Sequence, residues 1–310
     1  MEWLVPFALL VASLAVLYKS SEALITHASI IARFLRISET AVGFFLLSVA
    51  TSLPELSISV QAALSGNVGI SVGNVFGANV ADILLVMGAA AFFSHIAVGK
   101  QDLREAVLLL LGASLVTLFL LTYDTGRFTG FLLMALFVYY SYRVLRRPVA
   151  EIMVSEEDGS LLKSSVLFCV SVAVLLVSSK FVLDNAVLLS DVAGLSKTFI
   201  GATLISLGTV LPELSVTLSA AHKRRAGMAA GTVVGSCVVN LTLVLGAALA
   251  LGNPIPVNNF LSLVVFSLIA NNALVYFFLY REKLERREGL ILLGGYVLFL
   301  LAMVFGQVVV

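Results

Sequence analysis

The chain has 310 residues, 60% of them hydrophobic and 12% charged, with a mean hydropathy of +1.08 and a formal net charge of +1. A composition this apolar belongs to a chain solvated by lipid and excludes an ordinary water-soluble domain. The near-neutral charge excludes general nucleic-acid binding, and two isolated cysteines, Cys169 and Cys237, make no zinc or disulfide pattern. Both cysteines fall in apolar stretches and are expected to be small buried hydrophobes.

A spanning helix needs about 20 mainly apolar residues. Ten such segments follow one another, near 3–23, 40–64, 70–94, 103–123, 128–146, 164–188, 198–221, 228–251, 258–280 and 289–309. The first, Trp3 to Tyr18, follows Glu2 in place of a basic segment and has no small-x-small cleavage site. It is expected to be a retained span and not a signal peptide. The second carries Ala50-Thr51-Ser52-Leu53-Pro54-Glu55 and the seventh Gly208-Thr209-Val210-Leu211-Pro212-Glu213. Each sets a proline, which lacks a backbone donor, beside a glutamate. A carboxylate at the centre of a membrane helix costs about 2.5–3.5 kcal/mol on insertion scales. The third span holds Gly77-Ala78-Asn79 and Asp82, the eighth Gly235-Ser236-Cys237 and Asn240. Glycine permits a bend at both places, so spans 2, 3, 7 and 8 are all expected to be broken near the midplane. His27, His95 and His222 are expected at span ends, and the Asn271-Asn272 pair in the ninth span reads as packing glue.

The longest polar stretch, Arg146 to Lys163, divides the spans five and five. This gives a first five-helix repeat over 1–148, a cytoplasmic linker over 149–163 and a second repeat over 164–310. At an offset of 158, residues 38–90 lie over 196–248 without a gap, with 23 identities in 53 positions. The shared positions include Gly43/Gly201, Ser48/Ser206, Thr51/Thr209, Pro54/Pro212, Glu55/Glu213 and Gly77/Gly235, which shared hydrophobicity alone does not supply. An internal repeat follows. With an outside N-terminus, 16 of the 19 basic residues fall in inside loops, leaving Arg127, Lys180 and Lys197 outside. The positive-inside rule therefore places both termini outside the cytoplasm. Five spans per repeat is odd, so the second copy enters from the opposite face. The fold expected is an all-α integral membrane protein of ten transmembrane helices in two inverted five-helix repeats, with a site between them.

Glu55, Glu213 and Asp82 lie well inside spans, and the repeat mate of Asp82 is Asn240. No Lys or Arg shares the half-span of either glutamate, so a cation or proton must balance them. Hard cations such as calcium take six to eight oxygens. Two glutamates, an aspartate and an amide, with carbonyls freed around Thr51 and Thr209, supply such a cage. Ser236 shares a helix face with Asn240, as Ala78 does with Asp82, but Ala78 offers no oxygen.

At these residues the chain resembles the calcium/cation antiporter superfamily, in its sodium/calcium exchanger branch, which carries two inverted repeats with G-T-S-x-P-E/D and G-S-x-x-x-[ND] motifs. The resemblance covers essentially the whole chain. It implies calcium held by Glu55, Glu213 and the Thr51 and Thr209 carbonyls, with Asp82 and Asn240 in the central site. It also implies flanking sodium sites. One is Ser52 with Ser236 near the Ser48 carbonyl. The other, near the Ser206 carbonyl, reads Val210 with Ala78, where both hydroxyls are gone. Ala50 likewise replaces the first motif glycine. Calcium/sodium antiport by alternating access is the function expected, with no enzyme activity and no cofactor. Protons or potassium are alternatives as coupling ion. A passive cation channel is a further alternative, one that does not require the trans ion. An intramembrane protease lacks its G-x-G-D motif or a deep histidine. The expected partners are the transported ions and the bilayer, and a monomer satisfies the sequence.

Overall fold

The computed structural model describes residues 3–66, 68–93, 110–112, 114, 126–145, 160–192, 206–252, 269–278 and 284–308. Helix α1 runs over Leu4–Leu35 and α2 over 39–51. They are followed by α3 (Leu53–Leu64), α4 (68–93), α5 (Arg127–Leu145), α6 (Leu161–Val192), α7 (Ser206–Thr209) and α8 (Leu211–His222). The described chain closes with α9 (Ala226–Leu251), α10 (Ile269–Phe278) and α11 (Arg286–Val308). The described residues contain no strand. Five of these helices are long and apolar enough to cross a membrane, six when α2 and α3 are taken as one bent span. The spans expected near 103–123 and 258–280, and the linker over 149–163, lie largely outside the described residues.

The repeat is legible in the element boundaries. Helix α3 ends at Leu64 and α8 at His222, while α4 and α9 change winding at Asp82 and Asn240, all 158 residues apart. The hairpin between α3 and α4 turns through Gly66 at φ 78°, and its mate, Arg224, takes φ 57°. Both turns take the same left-handed geometry, although the second carries a side chain that disfavours it.

Three expectations are corrected. First, α1 does not stop near residue 23. It continues to Leu35 and ends where Arg36 turns left-handed. At 1.5 Å per residue its 32 residues run about 48 Å, well beyond a hydrocarbon core of about 30 Å. Leu24, Ile25, Ala28, Ile31 and Ala32 are buried against the protein, which keeps the extra turns apolar. Lys19 and Arg33 are consequently helical, and His27 sits inside the helix and not at a span end. Second, α4 and α9 are not broken at Gly77 or Gly235. Both run on as single helices and relax instead into a π segment, Asp82–Val86 in α4 and Asn240–Val244 in α9. A π segment absorbs a residue without a break, and such segments recur at functional sites. Third, Cys169 is exposed on α6, while Cys237 is fully buried.

Glycines set the helix separations. A Cβ on Gly235 would fall 2.6 Å from the Phe44 carbonyl oxygen, and one on Gly43 would collide with the Met228 carbonyl. Helix α2 therefore lies backbone-to-backbone on α9, joining the first repeat to the second. Asn272 donates to the Ser114 hydroxyl at 2.9 Å with both buried, in keeping with the packing role expected of this asparagine.

Candidate functional site

Pro54 and Pro212 are the second residues of α3 and α8, where a missing N–H costs nothing because first-turn donors have no helical partner. The preceding helices cannot continue through them. Ser52 and Val210 take near-bridge geometry at φ −81°, ψ 9° and φ −92°, ψ 5°. Helix α2 meets α3 at 49°. Proline strips the carbonyl four residues back of its donor, which is that of Ala50 or Gly208. The Gly208 carbonyl accepts instead from the Ser179 hydroxyl at 3.4 Å.

These breaks deliver Glu55 and Glu213 to the first turns of α3 and α8, facing the π segments of α4 and α9. Glu55, Asp82 and Glu213 are each 1% exposed. They are near enough for the charges of Glu213 and Asp82 to act on Glu55, and that of Glu213 on Asp82. Among the described residues, no three His, Cys, Asp or Glu side chains converge closely enough to hold a metal by themselves. A cation here would draw on hydroxyl, amide and carbonyl oxygens as well.

Those groups reach across the repeats. The Ser52 hydroxyl donates to Glu213 Oε1 at 3.4 Å, and the Thr51 and Ser236 hydroxyls lie 3.4 Å apart. The Ser48 hydroxyl donates to the Phe44 carbonyl. The Ser48 carbonyl already accepts from the Ser52 N–H at 3.0 Å and the Thr51 hydroxyl at 3.3 Å. Asn240 Nδ2 donates to Asn79 Oδ1 at 3.4 Å. Thr209 is half-buried at the end of α7, and the Ser206 side chain lies outside the described residues. Asn74 was not singled out as a site residue, yet it fixes Glu55 in place. Its Nδ2 donates to the Glu55 backbone carbonyl at 3.2 Å and to the Ser59 hydroxyl at 3.0 Å, pinning α4 to α3.

The two halves of the cluster are unequal. Glu213 receives the Ser52 hydroxyl, but the residue that corresponds to Ser52 on the Glu55 side is Val210, buried and without a donor. Accordingly, among the described residues, both carboxyl oxygens of Glu55 lack a hydrogen-bond partner, whereas Glu213 leaves only Oε2 unmatched. Asp82 Oδ1 and Asn240 Oδ1 are also unmatched. Buried acceptors of this kind normally find a donor or a cation. Five of them, on four helices, are thus left for a donor or a cation to satisfy.

The sodium/calcium exchanger protein family model matches residues 5–146 and 163–305. The chain is 28% identical over 355 residues to the sodium/calcium exchanger MaX1 of Methanosarcina acetivorans, covering 97% of this chain and 99% of that one. It is 33% identical over 244 residues to the putative antiporter CaxA of Alkalimonas amylolytica, covering 75% and 76% respectively. The solved structure of the sodium-calcium exchanger NCX_Mj soaked with sodium and no calcium superposes with a TM-score of 0.84 at 28% identity, over 96% of this chain and 98% of that one.

Proposed function

The chain belongs to the sodium/calcium exchanger protein family, and on that premise we propose that it is a secondary antiporter moving calcium against sodium across the cell membrane by alternating access. The observation that carries the reading is the set of buried, unmatched oxygens on Glu55, Asp82, Glu213 and Asn240. Among the described residues, no ion pair is made by any of the three acids. A divalent cation supplies what the site lacks.

In this reading calcium takes Glu55, Glu213, Asp82, Asn240 and the Thr51 and Thr209 carbonyls. One sodium takes the Ser52 and Ser236 hydroxyls beside Ser48. The place near Ser206, with Val210 and Ala78, has no hydroxyl to offer. The repeats are residues 1–148 and 164–310, inverted about a cytoplasmic linker over 149–163, with both termini outside the cytoplasm.

Calcium uptake into proteoliposomes under separate sodium, potassium and proton gradients tests the reading. Uptake driven by an outward sodium gradient supports it. Uptake driven by protons alone selects the calcium/proton alternative, which the missing Val210 and Ala78 hydroxyls favour over full sodium coupling. Uptake that needs no trans ion would mean a channel.

A further inference from the structure

Asn79 and Cys237 are repeat mates, as are Asp82 and Asn240. The four side chains meet where α4 packs on α9, and each is at most 1% exposed. Cys237 Sγ lies 3.9 Å from Asp82 Oδ2 and 4.0 Å from the Asn79 backbone carbonyl oxygen. Asp82 Oδ1, Asn240 Oδ1 and Asn79 Nδ2 have no partner among the described residues. Among the described residues, the other polar side chains of this cluster are hydroxyls, carboxylates and amides. The second repeat alone has put sulfur where the first has an amide.

We propose that Cys237 and Asp82, with the Asn79 carbonyl and the Asn240 amide oxygen, form a binding site for a thiophilic divalent cation such as zinc or cadmium. The inference rests on reading this buried cluster as a cation site and adds a second class of ion to it. Calcium gains little from sulfur, because hard cations take oxygen. Soft thiolate selects for zinc and its heavier congeners.

The spacing suits that chemistry. With zinc–sulfur near 2.3 Å and zinc–oxygen near 2.1 Å, the observed 3.9 Å separation subtends about 125° at the metal. The 4.0 Å separation subtends about 130°. Both are somewhat wider than tetrahedral, and a few tenths of an ångström of side-chain movement closes them. On binding, the thiol gives up its proton to the bulk buffer, and the thiolate and the Asp82 carboxylate together neutralise the divalent charge.

The test uses the full-length protein purified in a Cys169→Ser background, so that Cys237 is the remaining thiol. Cadmium is titrated while thiolate-to-cadmium charge-transfer absorption is followed, and zinc binding is measured by calorimetry. We expect one cadmium per chain with a charge-transfer band. Cys237→Ser and Cys237→Asn, the second copying the repeat mate, should abolish the band and weaken zinc binding on the order of 100-fold. Asp82→Asn should weaken it about tenfold. Monodispersity and thermal unfolding establish that the variants fold. Absence of the band in the Cys169→Ser protein, or unchanged zinc affinity in both Cys237 variants, overturns the site. Calcium uptake distinguishes the two claims. A band without calcium uptake supports this site and removes the exchanger reading, and uptake without a band does the reverse.

Discussion

The inequality between Glu55 and Glu213 makes a prediction that can be worked from the structure. Ser52 gives Glu213 a hydroxyl at 3.4 Å, while Val210 and Ala78 leave the Glu55 side without one. The double substitution Val210→Ser with Ala78→Ser copies the Ser52 and Ser236 arrangement onto that side. Removing the valine methyls from a buried position costs about 1–2 kcal/mol of apolar burial. A new hydrogen bond to a charged carboxylate returns about 1.5 kcal/mol, the low end of the usual range because the template bond is long. Stability should therefore change by less than about 1 kcal/mol. The ion balance should change more, because a sodium there gains two oxygens that valine and alanine deny it. An interaction of about 1.5 kcal/mol is roughly tenfold in affinity, so half-saturation by sodium should fall by about that factor and its dependence should steepen. The assay is sodium-dependent calcium efflux from proteoliposomes across a range of sodium concentrations. A wild-type Hill coefficient already near three, unchanged in the double variant, would refute the assignment of these positions as the missing ligands.

Glu55→Gln or Glu213→Gln should each reduce calcium transport to background while leaving the protein folded, since an amide is cheaper than a carboxylate in the bilayer; wild-type uptake by either purified variant would sink the site. Gly235→Ala should destabilise the protein by about 1–3 kcal/mol, because its Cβ would lie 2.6 Å from the Phe44 carbonyl oxygen. Gly73→Ala, with nothing within 4 Å, should stabilise by about 0.5–1 kcal/mol, so the two thermal unfolding curves should part in opposite directions. Arg224→Gly should stabilise by about 1 kcal/mol by relieving the left-handed backbone at φ 57°; an unchanged melting temperature would show that the turn is unstrained. Terminal tags should be reached from outside intact cells, and a cysteine placed within 149–163 should not react with an impermeant reagent. An inside N-terminus would break the inverted arrangement.

Local chemistry alone determined a good part of this protein. Proline beside glutamate in hydrocarbon is so unfavourable that finding it twice, 158 residues apart, already marks a repeat and a chain break, and it is what points to an ion site. The breaks at Ser52 and Val210 fall where the missing proline donor requires them. What proline does is unambiguous; what glycine does is not. Gly77 and Gly235 read equally well as hinges or as packing surfaces, and only the approach of α2 to Gly235 shows the second use. The length of α1 was hidden for a similar reason, since residues 24–35 are apolar enough for a helix end, a loop or a continuation, and contact with the protein interior chose continuation. Tertiary structure alone decided the cross-repeat partners. Ser52 meets Glu213, and Cys237 meets Asp82, across sequence separations that no local pattern encodes. The sequence carried the donors on each helix, because those follow from residue type and helical spacing. The packing of α4 against α9 decided that Cys237 faces Asp82 and Asn240 faces Asn79, and the approach of the α2–α3 break to α8 decided that Ser52 faces Glu213.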